Sequence, residues 1–122
     1  MNRVIIGLGS NIQPEENIGK VVSELEKSIK LVKKTDLLRT KPIGITDQPD
    51  FFNGAVLGET VLELEELRVW LKSLEDLLGR DRTKPKFGPR TIDLDILVWN
   101  GRIVDEDYHS RDFIRQLVNE LL

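Results

Sequence analysis

The sequence contains no cysteine, one histidine and one methionine among its 122 residues. Without cysteine, disulfides and thiolate-bound metals are excluded. A lone histidine leaves no imidazole cluster for a softer transition metal. No apolar run approaches the roughly 20 residues that a membrane-spanning helix requires. The opening "MNRVIIGLGSN" enters a strand-like pattern at once and lacks the layout of a signal peptide, so a cytoplasmic protein is the simplest reading. Aromatic residues are only 6% of the chain, and the aromatic-rich strand of an RNA-recognition domain is absent. The formal net charge of −3 argues against a nucleic-acid binder, which needs a basic surface to meet phosphates. Charged residues at 32% and apolar residues at 39% are the balance of a globular chain, and this length suits one domain with a modest two-layer core.

Hydrophobic periodicity divides the chain into alternating elements. "RVIIGL" at 3–8 reads as a buried strand ended by a turn at Gly9-Ser10-Asn11. Pro14 opens a helix, with Glu15 and Glu16 in its first turn, where the helix dipole favours negative charge. Ile18, Val21, Val22, Leu25 and Ile29 mark its apolar face. "KLVKKTDLLRT" at 30–40 suits a half-exposed or edge strand, and 41–52 reads as a loop rich in Pro, Gly and Asp. A third strand follows at 53–60. Thr60 and Glu63 have the spacing of a capping box ahead of a second helix with a leucine stripe at 64, 67, 71, 74 and 78, stopped by Gly79. "TIDLDILVW" at 91–99 is a strand, Asn100-Gly101 a two-residue hairpin turn into "RIVD", and the chain from about Asp112 is helical. The order β-α-β-β-α-β-β-α predicts an α+β protein. Its core is a ferredoxin-like βαββαβ arrangement with an added hairpin strand and a short C-terminal helix. That fold hosts enzymes, regulatory modules and RNA-binding domains alike, so it does not choose among functions.

Three features bear on chemistry. Gly7-Leu8-Gly9 begins like a dinucleotide fingerprint, but Ile12 stands where the third glycine belongs, so the pair reads as a tight turn; a Walker A sequence is absent. Asp93 and Asp95 stand two apart in a strand-like run, so both carboxylates share one face while Leu94 and Ile96 take the other. With Cα atoms about 6.5 Å apart, the two charges repel by roughly 2–3 kcal/mol at an effective dielectric near 20. Solvent at an exposed sheet face would relieve that repulsion. A divalent cation would turn it into attraction, and Mg²⁺ favours one or two carboxylates combined with phosphate oxygens and water. Just upstream, Arg80, Arg82, Lys84, Lys86 and Arg90 fall within 11 positions against one acid, Asp81. Arginine grips phosphate oxygens in bidentate fashion. A cation cluster beside paired carboxylates is what a Mg²⁺-polyphosphate complex requires, although either feature alone reads equally as a solvated surface.

"FGPRTIDLDIL" at 87–97 resembles the signature of the 6-hydroxymethyl-7,8-dihydropterin pyrophosphokinase family. "GLGSN" at 7–11, "LRTKPIGITDQPDFFNGAV" at 38–56 and "LEDLLGRDR" at 74–82 follow in the family's order, so the likeness runs from residue 3 to about 104. It implies one pyrophosphokinase-like domain, 1–122, that moves the β,γ-diphosphate of ATP onto the hydroxymethyl oxygen of a reduced pterin and releases AMP. By resemblance, Asp93 and Asp95 would hold two Mg²⁺ ions. Arg80, Arg82 and Arg90 would engage the phosphates, the first two as part of the catalytic set with the aspartates. Lys72, Glu75, Phe87, Ile96 and Arg111 would contact the nucleotide. Asn53, with groups around Thr40, Pro42 and Ile43, would read the pterin's polar edge, and Phe51 and Phe113 would sandwich its ring. ATP and the pterin are the implied partners, without nucleic acid or membrane, in a protein taken as a monomer by default.

The sequence departs from the family after Val104. "DEDYHSRDFI" runs from the hairpin straight to Arg111-Asp112-Phe113, about eight residues shorter than the family's usual path through a "PHP" segment, and the tail is also short. His109 aligns beyond that segment and reads as a surface residue. Lys41 stands where the family usually has proline and Phe87 where it often has tryptophan. Two other readings are therefore kept: a degenerate member that binds nucleotide or pterin without turnover, and a regulatory small-molecule module on the same fold.

Overall fold

The computed structural model of the chain describes residues 1–79, 83, 88, 89 and 91–122. Among the described residues nine elements run in order: β1 (Asn2–Ser10), α1 (Pro14–Leu25), β2 (Lys30–Lys34), β3 (Leu38–Thr40), β4 (Phe51–Thr60), α2 (Leu64–Leu77), β5 (Asp93–Trp99), β6 (Arg102–Ile103) and α3 (Asp112–Leu121). The six strands form one sheet in the order β2-β4-β1-β5-β6, with β3 also on β4, and every pairing is antiparallel. β2, β4, β1 and β5 are thus arranged as the βαββαβ reading requires. No helix among the described residues is long and apolar enough to cross a membrane.

Each face of the sheet is closed by a different part of the chain. Ile18, Val21 and Leu25 of α1 and Leu67, Leu71 and Leu74 of α2 pack with Val4, Ile6, Leu8, Val56, Leu94 and Ile96. Burying one such aliphatic side chain stabilises the fold by about 1.5–3 kcal/mol. On the opposite face Ile114, Leu117, Val118 and Leu121 of α3 cover Ile5, Ala55, Leu57, Leu97 and Val98. At the start of α3, Arg111 and Phe113 line a cavity together with Gly9, Asn53 and Asp93 of the sheet. A register shift between Ile5 and Ile6, which face Val98 and Ile96, leaves Leu97 as a bulged residue.

Several local expectations are corrected. The 30–40 segment is not one strand. It pairs with β4 twice, and between the two pairings the Thr35 side chain takes over ladder duty, its Oγ1 accepting the Ala55 N–H at 3.0 Å. β4 starts at Phe51 rather than residue 53, so both phenylalanines are strand residues. The box that caps α2 is Glu63 with Glu66, the Glu63 N–H donating to Glu66 Oε1 at 3.0 Å. Thr60 belongs to β4, and its buried hydroxyl accepts from Leu62 N–H and donates to the Ser28 carbonyl. Asn100 and Gly101 both have positive φ, 48° and 82°, the signature of a type I′ hairpin turn.

Candidate functional site

Gly7 and Gly9 are not turn residues. They lie within β1, where Gly9 stands between Asn53 of β4 and Asp93 of β5, and Gly7 between Ala55 and Asp95. Alternation puts these residues on the face that α3 packs against. Two rows therefore cross the sheet there, each with a carboxylate on β5 and a bare backbone in the centre. A Cβ at Gly9 would stand 2.7 Å from Asn53 Oδ1, so a side chain there would push the carboxamide aside. This is the part of the site that sequence reasoning missed. The signal was available as two period-2 patterns, G-x-G and D-x-D, but only the register shows that they face each other.

Two concavities meet at Asp93. One, of about 90 Å³, is lined by Thr40 and Ile43 from the β3 side, Phe51 and Asn53 from β4, Gly9, Gly88, Lys41 and Asp93, and by Arg111 and Phe113 at the start of α3. The Asn53 carboxamide is held there, donating from Nδ2 to Thr40 Oγ1 at 2.6 Å. The second, of about 470 Å³, is a more open cleft between α2 and β5. Lys72 and Glu75 of α2 line it with Asp93, Asp95 and Ile96 of β5. A smaller recess beneath α3 also touches Asp93, Asp95 and Arg111.

Glu75 is not a solvated helix residue. Its side chain is buried at 6% exposure, and Oε2 accepts the Leu94 N–H at 2.9 Å, pinning β5 between the two aspartates. Asp95 is exposed along one side, yet desolvation by the surrounding protein, followed by the charge of Asp93, raises its pKa from 3.8 to about 7, with Asp105, Glu75 and Asp107 adding to the effect. Burial and then Asp107 also raise Asp105, while a backbone hydrogen bond from Asp107 and the charge of Arg111 oppose that. The site thus gathers several carboxylates, Asp93, Asp95, Glu75, Asp105 and Asp107, whose charges act on one another. Among the described residues, no three of His, Cys, Asp and Glu are grouped to hold a metal ion by themselves. The donor set is a pair of hard carboxylates, which suits a cation sharing its remaining positions with other oxygens.

The expected pterin-contact residues Thr40, Ile43, Phe51, Asn53 and Phe113 come together around the smaller cavity. Pro42, half-buried, sits in the chain between the lining residues Lys41 and Ile43. The expected nucleotide residues Lys72, Glu75 and Ile96 gather at the larger cleft with both aspartates. Arg111 is set apart from that group. It lines the smaller cavity and is bridged to Asp107 Oδ2 at 3.4 Å. Arg80, Arg82, Phe87 and Arg90 lie outside the described residues. His109 is exposed, its ring edge-on to Tyr108.

Residues 5–122 match the family described as 7,8-dihydro-6-hydroxymethylpterin-pyrophosphokinase. The 2-amino-4-hydroxy-6-hydroxymethyldihydropteridine pyrophosphokinase of Haemophilus influenzae is 35% identical over 121 residues, an alignment covering 89% of this chain and 74% of that protein. The enzyme of the same name from Bacillus subtilis is 36% identical, covering 96% of this chain and 74% of the relative. A folate synthesis bifunctional protein of Arabidopsis thaliana is 38% identical over 106 residues, 85% of this chain. The chain spans only 22% of that bifunctional relative's length.

Proposed function

The chain belongs to the 7,8-dihydro-6-hydroxymethylpterin-pyrophosphokinase family, and from that premise we propose that it transfers the β,γ-diphosphate of ATP to the hydroxymethyl oxygen of 6-hydroxymethyl-7,8-dihydropterin, releasing AMP in folate synthesis. One observation carries the reading: Asp93 lines both the small cavity that gathers the expected ring-binding residues and the larger cleft that gathers the expected nucleotide residues. An acceptor held in the first and a triphosphate held in the second would meet at the carboxylates.

Asp93 and Asp95 fit the metal the family implies, because two hard oxygen donors among neighbouring carboxylates favour Mg²⁺. We assign two ions to this pair; when bound, they supply charge neutralisation to the triphosphate. The remaining work belongs to the chain. Phe51 and Phe113 present aromatic faces to a flat heterocycle, and Asn53, braced by Thr40, reads its polar edge as donor and acceptor together. Glu75 holds the β5 backbone so that both aspartates keep their places. Arg80, Arg82 and Arg90 would bind phosphates by virtue of their guanidinium chemistry, and Arg111 would meet the acceptor side of the site. Diphosphate transfer needs placement and charge compensation more than covalent help, which is what such a set supplies.

AMP release from ATP and Mg²⁺, with and without the pterin, tests the proposal, with Asp95→Asn as the control. Pterin-dependent AMP that disappears in the variant is expected. A folded protein that releases none with saturating substrates would overturn it and leave a relative that binds without turnover.

A further inference from the structure

The 104–111 connection, where the sequence departs from the family pattern, leads from β6 to α3 and delivers two residues to the ring cavity, Arg111 and Phe113. Arg111 stands just ahead of α3 in an extended conformation, φ −123° and ψ 110°, so the chain changes course there. A connection without a ladder keeps one course only if other groups hold its backbone. Three consecutive carbonyls are held. That of Asp107 accepts the Ser110 N–H at 3.1 Å, the Ser110 hydroxyl at 3.2 Å and the Arg111 N–H at 3.0 Å. Those of Tyr108 and His109 both accept from Nη1 of Arg115, at 2.8 and 2.6 Å, while Nη2 of the same guanidinium pairs with Asp112. A planar guanidinium can grip several oxygens at once in a fixed geometry, and bonds from a charged donor are the stronger kind. The Tyr108 and Phe113 side chains both lie against the core beneath α3, so the clamped turn is seated as well as tied.

We infer that Arg115 is a positioning residue for the acceptor substrate: by clamping the Tyr108 and His109 carbonyls it fixes the turn that sets Arg111 and Phe113 at the ring cavity. The inference rests on the pterin reading for the identity of the ring. Arg115 lines neither the ring cavity nor the nucleotide cleft, so it acts through the turn. Arg111 and Phe113 line the first and not the second, so loss of the clamp weakens the pterin more than ATP.

The test uses Arg115→Ala and Arg115→Lys in the full chain. Asp112→Ala serves as the comparison, because it removes the carboxylate partner and leaves both carbonyl bonds. The Arg115 side chain is 34% exposed, and the residues that α3 buries are untouched, so the variants fold. The KM for the pterin is expected to rise about 5- to 30-fold in Arg115→Ala, as loss of charge-assisted hydrogen bonds implies, and less in Arg115→Lys, which keeps the charge without the fork. It stays within about twofold in Asp112→Ala, as does the KM for ATP in all three. Hydrogen exchange at amides 110 and 111 accelerates in Arg115→Ala while amides 117–121 keep their protection. An equal rise in both KM values, a fall in Tm with an unchanged pterin KM, or an Asp112→Ala loss as large as that of Arg115→Ala would overturn the inference. Failure of the wild type to release pterin-dependent AMP would instead overturn the proposed function, and exchange at 110 and 111 would then decide the clamp: faster in Arg115→Ala supports it, unchanged refutes it.

Discussion

Alanine at Gly9 places one methyl group where the two patterns of the site meet. Its Cβ would stand 2.7 Å from Asn53 Oδ1 and 3.9 Å from Asp93 Cβ. Ordinary carbon–oxygen approaches are about 3.3–3.6 Å, so Asn53 must retreat by roughly 0.6–0.9 Å while Asp93 need not move. Retreat strains the 2.6 Å bond from Asn53 Nδ2 to Thr40 Oγ1, a cost of about 1 kcal/mol. The loss of a flexible glycine from the unfolded chain offsets about 0.4–1 kcal/mol of that. Net stability therefore changes by no more than about 1 kcal/mol, and Tm by less than about 5 °C. Binding responds more. A displaced carboxamide forfeits one or two hydrogen bonds to the ring, about 1–2 kcal/mol, or a roughly 5- to 30-fold weaker pterin. Titration of pterin fluorescence gives Kd, steady-state AMP release gives both KM values, and thermal melting reports the fold. A Gly9→Ala protein with unchanged pterin Kd would refute the placement of Asn53. So would one in which affinity for ATP falls as far as affinity for the pterin.

The remaining expectations are independent of that one. Asp95→Asn should stabilise the metal-free protein at pH 8. A carboxylate with a folded pKa of about 7 against 3.8 resists ionisation in the fold, so the wild type loses stability as pH rises through that window and the variant does not. The full shift would correspond to about 4 kcal/mol, but Asp95 is exposed, and solvent screening reduces the expected gain to about 1–2 kcal/mol. Melting curves should converge toward pH 4, and a variant less stable than wild type at pH 8 would contradict the electrostatics. Gly58→Ala should destabilise by about 1–3 kcal/mol in urea titration, because its Cβ would overlap Ile29 Cγ2 and press on the Lys30 carbonyl at 3.1 Å; a neutral result would refute the tight β2–β4 approach. Gly19→Ala meets nothing within 4 Å on the exposed side of α1 and should raise stability by about 0.5–1 kcal/mol with kinetics unchanged, so a drop in Tm would count against the helix register.

The family resemblance groups Thr40, Ile43, Phe51, Asn53 and Phe113 as expected pterin contacts, and all five line one cavity. Glu75 was half legible. The resemblance named it as an expected nucleotide contact and it lines the larger cleft, but its bond to Leu94 N–H depends on how closely α2 lies over β5. Gly7 and Gly9 were misread as a turn because a G-x-G pair after apolar residues suits a tight turn equally well. The Thr60 cap was misread for a similar reason: spacing is local, but the hydroxyl was claimed by Ser28 and Leu62 through strand packing.

Period and composition alone determined the helices, the buried strands, the type I′ turn at Asn100-Gly101 and the shared face of Asp93 and Asp95. Each of these depends on neighbours in the chain, and the alternation of side chains is a property of the backbone itself. Antiparallel register decided that Gly9 stands between Asn53 and Asp93. The packing of α3 onto one face decided where a cavity forms, and Asn11 acquired its partners only when the 41–50 connection folded back to it. Those contacts join residues far apart in sequence, and no local pattern encodes which distant surface a strand or loop will meet.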